Sequence, residues 1–465
     1  MQLDTRELLG IEHVRAQNIH SLHGKKLRGV STDSRTVKGG DVFFAIRGEK
    51  FDGHSFISEA FLCGCAVAVV EEGFAARASS VENYPLLFVK NSVHALGQLA
   101  RLYRRRFDIP VIAVTGSNGK TTTKEMIAEV LGQKFRVLKA EGNLNNHIGV
   151  PKTLFRLQKR HEIAVLEMGT NHFGEVEYLC GVAEPTHGLI TNVGRAHLEF
   201  FGSVEGVAKA KGELFEWLAP RGLGFVNADN PFVVQKAKKL RRKLTYGFGG
   251  RRVNVRGRFL GLNDRIQPRF LFGGHPLSKP YSVQLQTFGK YTVENGLAAA
   301  TVGLHFGVSG TRIKSALAKH RPSSQRMEML KIGSVTILND TYNANPDSVL
   351  EALRTLAALE CRAKRIVVLG DMLELGEVSE QEHRNIGREI ARLGFEYVLT
   401  YGRESAATAA GLGTPYAFHY EEKSTLIAYL EELVVPGDIV LVKGSRGMKM
   451  EDVVIHLTEH LHAKK

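Results

Sequence analysis

Short runs of consecutive apolar residues alternate along the chain with stretches whose apolar positions recur at three- and four-residue spacing. The runs "VIAVTG", "EIAVLEMG", "HGLITNVG", "RIVVLGDM", "EYVLTYG" and "DIVLVKGS" are short and β-branched, and each carries a glycine at or near its end. They read as buried parallel strands. Between them, "KEMIAEVLGQKF" puts Met126, Ile127, Val130 and Leu131 on one helical face, and "SVEGVAKAKGELFEWL" and "DSVLEALRTLAAL" read as further helices. Strand and helix in alternation predict an α/β fold with ligands at the carboxyl ends of parallel strands.

The pattern falls into three regions, as a length of 465 residues leads one to expect. Residues 1–108 hold "DVFFAI" and "CAVAVVE" and close on the charged stretch "ARLYRRRFDIP". Residues 109–322 carry the first strand–loop–helix series. Their part from about Gly224 to Lys290, rich in glycine and short alternating runs, is expected to be an antiparallel extension. The pattern resets near Arg321-Pro322, and residues 323–465 repeat strand and helix as a second unit with its own sheet.

Composition narrows the class. Hydrophobic residues make up 43% and charged residues 24%, no stretch of eighteen apolar residues occurs, and the N-terminus lacks an export signal; a soluble, cytoplasmic protein with no membrane span is expected. Cys63, Cys65, Cys180 and Cys361 are scattered, which predicts buried free thiols. A formal net charge of +14 points to anionic partners. The basic clusters at 104–106, 238–243 and 251–258 are dispersed and lack interleaved aromatics, so they are expected to be solvated surface and no nucleic-acid partner is expected.

The chemistry concentrates in "VTGSNGKTTTK", residues 114–124. The full phosphate-loop pattern wants glycine where Val114 stands. Gly116, Ser117, Asn118 and Gly119 still supply a turn whose amides point at phosphate, Lys120 a mobile cation, and Thr121 and Thr122 hydroxyls at the helix start. A plain glycine turn would give no reason for a lysine there, where it opposes the helix dipole. Glu167 follows the apolar run Ile163 to Leu166 at the tip of a strand beside this loop, where a carboxylate calls for a cation. His197 ends another such strand; a lone histidine is more often simply hydrogen-bonded. Lys209 and Lys211 on an amphipathic helix are normally solvent-facing, and spacing assigns them nothing more.

The set "TGSNGKTTTKEM", "NLNNHIGVP", "LEMGTNHFGE", "TNVGRAHLEFFGS" and "AKAKGELF" resembles the Mur ligases, ATP-dependent amide-forming enzymes of peptidoglycan synthesis. "NDTYNANPDSVLEAL", "LGDMLELGEVSEQEH" and "KGSRGMKME" look most like the branch that adds D-alanyl-D-alanine to the UDP-N-acetylmuramoyl tripeptide, and "STDSRTVKGGDVFFAIRGEKFDGHSFI" looks like its UDP-binding domain. The alternative is the sister branch that adds the third amino acid, whose diaminopimelate-using type carries a D-N-P-R motif absent here; "TYGRES" stands at the comparable strand end.

The resemblance implies three domains: an N-terminal α/β domain binding the UDP-linked substrate, a central P-loop domain with a parallel sheet, and a Rossmann-like C-terminal α/β domain. It implies ATP and two magnesium ions as cofactors, an acyl-phosphate intermediate and a monomer. Residue by residue, Lys120 would stabilise the transferring phosphoryl group, Thr121 and Glu167 would hold one magnesium ion, and His197 would help with the second. Lys211 matches the lysine that the family carbamylates. Asn295 matches an asparagine near adenine, Arg326 an arginine that reaches the ATP phosphates, and Asp340 an acid that approaches the nucleotide. Ser34, Arg35 and Phe51 match uridine-diphosphate contacts, while Asn143 and Asn146 would line the muramoyl side. Tyr291-Thr292 and Gln325 depart from the family pattern of His-Asn and Gly.

Overall fold

The apolar runs fold as three separate sheets with helices packed around them. In the computed structural model the described residues are 3–22, 27–77, 83–249, 252–361, 363–395, 397–412 and 417–463. Arg251 of the third basic cluster lies outside them.

The first sheet contains β1 (Arg15–Gln17), β2 (Gly29–Ser31), β3 (Asp41–Phe44), β4 (Val67–Glu71) and β5 (Leu86–Val89), ordered β1-β5-β4-β3-β2 and parallel except at β1. The helix Ser92–Arg104 leads out of this domain. At its end Arg104 is 7% exposed and donates to the carbonyls of Ala183, Phe107 and Ile109. It is therefore an internal clasp between the first two domains, which corrects the expectation of a solvated surface for this one residue; Arg105 and Arg106 beside it are exposed, as expected. A guanidinium survives burial there because each edge meets a carbonyl.

The central sheet contains β6 (Val111–Thr115), β7 (Val137–Lys139), β8 (Ile163–Glu167), β9 (His187–Ile190), β10 (Leu223–Asn227), β11 (Arg242–Gly247), β12 (Val255–Leu262), β13 (Pro268–Gly274) and β14 (Tyr281–Gln284), in the order β14-β13-β12-β11-β10-β9-β6-β8-β7. The expected antiparallel extension is corrected in part. β10 and β11 continue the parallel run, and antiparallel pairing begins only between β12 and β13. β10 is buried at every position, as in a sheet covered on both faces, whereas β11 is exposed at its first two residues and β12 alternates buried with more exposed positions. Met126, Ile127, Val130 and Leu131 on the helix Lys120–Leu131 are all buried, against Leu297 and Ile313 among others.

The third sheet, ordered β15-β16-β20-β17-β18-β19, is built from β15 (Glu328–Ile332), β16 (Val335–Asp340), β17 (Arg365–Gly370), β18 (Tyr397–Tyr401), β19 (Ala417–Tyr420) and β20 (Ile439–Lys443), antiparallel only at the β15–β16 hairpin. The chain is thus an α/β protein of three domains. Its cysteines are all free, but Cys63 is exposed and Cys361 half-buried, against the expectation of burial for all four.

Candidate active site

The carboxyl ends of β6, β8 and β9 meet the C-terminal domain across a cavity of about 1920 Å³. Of the residues singled out in the sequence, Ser117, Asn118, Gly119, Lys120, Thr121, Thr122, Asn143, Asn146, Glu167, His197, Asn295, Arg326 and Asp340 line it. Ser34, Arg35 and Phe51 do not: Ser34 is buried in its own turn, Arg35 pairs with Asp33 at 2.7 Å, and Phe51 is 73% exposed on the first domain.

The phosphate loop is shaped by two glycines. Gly116 has φ +145° and Gly119 +78°; a Cβ on either would lie 1.9 Å from Thr191 Oγ1 or 2.5 Å from Asn295 Oδ1. Only glycine fits both the backbone angles and the space. The loop is tied to the end of β9, with the Ser117 amide donating to Asn192 O, the Asn118 amide to Asn192 Oδ1, and Thr191 Oγ1 to Asn118 O. Lys120 Nζ folds over the loop onto Gly116 O (2.7 Å) and Ser117 O (3.1 Å). Burial lowers its pKa, and Glu167 works against that shift. Asn295 lies under the loop, accepting from Thr123 Oγ1 at 3.1 Å.

Glu167 is 1% exposed. Asn145 Nδ2 donates to its Oε1 at 2.9 Å, whereas Oε2 has no hydrogen-bond partner among the described residues and sees Lys124 Nζ at 3.7 Å. An orphaned buried carboxylate oxygen on the cavity that the Thr121 hydroxyl also lines is the donor chemistry of a magnesium site.

Further along, His197 adopts a left-handed φ of +56° at the start of the short helix Leu198–Phe201, and its Nδ1 lies 2.5 Å from Glu374 Oε2 of the C-terminal domain. Burial lowers the pKa of His197 despite the carboxylate, and Lys211 and Lys120 add to the shift. Lys211, 1% exposed, has no hydrogen-bond or ion-pair partner among the described residues, and burial with Lys120 nearby pulls its pKa well below that of a free lysine. This overrides the solvent-facing expectation from helix spacing; Lys209, two residues away, is exposed as expected, with its ammonium over the Phe173 ring.

The C-terminal domain contributes Arg326, whose Nη2 donates to Thr121 Oγ1 at 3.0 Å while its guanidinium stacks on Tyr342 at 3.7 Å. Asp340 is committed to Lys443 Nζ at 2.5 Å and to the Met327 amide at 2.9 Å. Gln325 stands in a left-handed φ of +62°, which explains glycine as the commoner residue there. Sequence reasoning missed Asn145, Arg195, Glu374, Asp347 and Lys443. Asn145 lies two residues from Asn143 and was within reach; Lys443 emerges once β16 and β20 pair and place it on Asp340, and Arg195, Asp347 and Glu374 only when two domains are apposed.

Residues 26–104 match the Mur ligase family catalytic domain, 114–303 the Mur ligase middle domain, and 325–446 the Mur ligase glutamate ligase domain. The chain is 38% identical over 440 residues to the UDP-N-acetylmuramoyl-tripeptide–D-alanyl-D-alanine ligase of Bacillus subtilis, covering 93% of each chain, and 36% identical to that of Escherichia coli, covering 93% of this chain and 94% of the relative. Among solved structures, MurF from Acinetobacter baumannii superposes with a TM-score of 0.88 at 30% identity over 99% of both chains. MurF from Thermotoga maritima in complex with ADP gives 0.81 at 27% identity, covering 94% of this chain and 99% of that one.

Proposed function

The chain belongs to the Mur ligase family, and from that premise we propose that it joins D-alanyl-D-alanine to UDP-N-acetylmuramoyl-tripeptide, converting ATP to ADP and phosphate. The observation that carries this reading is the meeting in one interdomain cleft of a phosphate loop and the orphaned carboxylate oxygen of Glu167, with the buried, unpartnered Lys211 close enough to feel Lys120 and to act on His197.

Lys120 neutralises charge on the phosphoryl group as the substrate carboxylate attacks it to form an acyl phosphate. The amides from Gly119 to Thr122 orient the phosphates, those of Ser117 and Asn118 being held by Asn192, and Arg326 reaches the phosphates from across the junction. Thr121 and Glu167 would hold one magnesium ion, and His197 and Lys211 would serve a second. Magnesium supplies charge neutralisation where two anions must meet. As an ammonium Lys211 would repel such an ion, so carbamylation, the addition of carbon dioxide to its neutral amine, is part of the proposal. Burial, with Lys120 nearby, pulls the pKa of that amine well below that of a free lysine and so favours the neutral form that carbon dioxide requires. The incoming amine then attacks the acyl carbon and phosphate leaves.

Asn295 and Asp340 belong to the nucleotide side, Asn143 and Asn146 to the muramoyl side. Ser34, Arg35 and Phe51 hold the uridine diphosphate on the first domain, which spans 1–108 beside a central domain of 109–322 and a C-terminal domain of 323–465. The protein works as a cytoplasmic monomer; no helix among the described residues is long and apolar enough to cross a membrane. The sister reaction, addition of the third amino acid, is disfavoured by the relatives at 36–38% identity, which share the dipeptide-adding name.

A coupled assay of phosphate release tests the reading. Turnover is expected only with tripeptide substrate and D-alanyl-D-alanine together. Turnover indifferent to the dipeptide but switched on by a single diamino acid would replace this function with the sister one.

A further inference from the structure

The motif "LGDMLELGEVSEQEH" leaves β17 and enters the interdomain cleft, yet none of the roles above uses it. Its first residues are bolted to the C-terminal domain. Ser405 donates to Asp371 Oδ1 from both its amide (2.7 Å) and its hydroxyl (2.6 Å), the Met372 amide donates to His383 Nε2, and the Leu373 amide to Ser445 Oγ. The next residue, Glu374, turns into a left-handed φ of +63°. Its carbonyl accepts the Glu199 amide of the central domain at 3.0 Å, and its carboxylate reaches His197 Nδ1 at 2.5 Å. Gly376 follows at φ +58°, and a Cβ there would sit 3.0 Å from Glu199 Cα.

Glu374 and His197 are both non-glycine residues in left-handed backbone, and they face one another across the domain junction. Such conformations persist where surrounding structure enforces them, and they cluster at working sites. A casual surface ion pair would need neither the strained backbone nor the anchored segment. The contact distance is short, but its geometry falls outside that of a hydrogen bond, as for pairs that tighten only when the reacting complex assembles.

We propose that Glu374 is a positioning residue for ligation, delivered by the C-terminal domain to orient the His197 imidazole once the two domains are docked. The inference rests on the ligase reading of this cleft. Docking of the C-terminal domain then completes the surroundings of His197, and an undocked domain leaves that ring free to turn.

The test uses the full-length protein with Glu374→Gln and Glu374→Ala, each compared with His197→Ala and the double variant His197→Ala/Glu374→Ala. Loss of an outer partner of a metal-site residue commonly costs 10–100-fold. The expected result is a kcat lowered by about that factor, KM values for ATP and tripeptide within about threefold of the parent, and Mn²⁺ binding in the presence of ADP weakened by roughly tenfold. Mn²⁺ affinity in the double variant should match that of His197→Ala, because Glu374 acts through that ring. Mn²⁺ affinity and kcat both within about twofold of the parent, or losses that multiply in the double variant, would overturn the proposal. So would a kcat loss accompanied by an equal loss of folded protein in both Glu374 variants. Absence of amide product from the parent protein would instead sink the ligase reading, and the Mn²⁺ measurement, which needs no turnover, would still decide for or against Glu374.

Discussion

Arg195 of the central domain grips Asp347 of the C-terminal domain with three donors: its amide to Oδ2 at 2.8 Å, and Nε and Nη2 to Oδ1 at 2.9 and 2.7 Å. Its remaining edge takes Glu382 at 2.8 Å, and beside it Asn118 and Asn345 exchange side-chain amide contacts. Asp347 lies in the first turn of the helix Pro346–Ala357, capped by Asn345, so the clasp holds one end of a rigid element against the phosphate loop. Replacing Arg195 by alanine removes charge-assisted bonds, worth about 1.5–3 kcal/mol each when both groups are held, and leaves two carboxylates facing the junction. The docked arrangement is expected to lose population, seen as an increase in radius of gyration by X-ray scattering without ligands, with ATP and tripeptide together restoring compaction. An unchanged profile would show that docking does not depend on this clasp.

At Gly116 the prediction is steric. Alanine there meets Thr191 Oγ1 at 1.9 Å on a backbone of φ +145°, so either the loop or the end of β9 has to move. Strain of this kind costs about 1–3 kcal/mol. Gly116→Ala is therefore expected to lower the thermal midpoint and to weaken ADP binding by at least about tenfold, because displaced amides no longer converge on phosphate. Calorimetric titration with ADP checks it; parental affinity would mean that the loop does not cradle the nucleotide.

Lys211 offers a chemical test. Its neutral amine should take up carbon dioxide, so stripping the buffer of carbon dioxide is expected to reduce turnover and bicarbonate to restore it. Lys211→Ala should lower kcat by about 10²–10³-fold, the usual cost of removing one charge-stabilising group. Steady-state phosphate release measures both. Activity indifferent to bicarbonate would leave Lys211 uncarbamylated and remove its part in the proposed second magnesium site.

How much of this was legible in the sequence depends on where each signal resides. The run "VIAVTG" and the apolar stripe from Met126 to Leu131 are local, and strand, loop and helix followed from them. β10 and β11 were read as antiparallel because strand direction depends on which neighbour a strand joins, and glycine content does not encode that. Lys211 looked solvated by helix spacing, since the partner surface that buries it comes from elsewhere in the fold. Arg104 sat in a basic run like its neighbours, and three distant or turn carbonyls made it internal. Glu374 and Asp347 were invisible as site residues for the same reason, being brought to the cleft by a domain whose placement no local pattern states.

Far from the cleft, a pair of histidines predicts how the fold responds to acid. His187 at the start of β9 meets His305 at the end of the helix Thr292–His305, Nε2 to Nε2 at 3.2 Å, with Thr186 Oγ1 on the other ring nitrogen at 2.8 Å. Burial, reinforced by His305 and Arg242, pushes the His187 pKa down to about 4. In the unfolded chain the ring titrates near 6.5, so between about 6.5 and 4 the unfolded state binds the proton that the folded state refuses. Stability is therefore fully present above about pH 6.5 and declines as pH falls toward 4, by about 3.4 kcal/mol from this ring at 1.36 kcal/mol per unit. Replacing His187 by phenylalanine, which keeps the ring stacking on Phe225 and removes the titrating group, should flatten the urea midpoint over that window. A parental slope in the variant would assign the acid sensitivity to other groups.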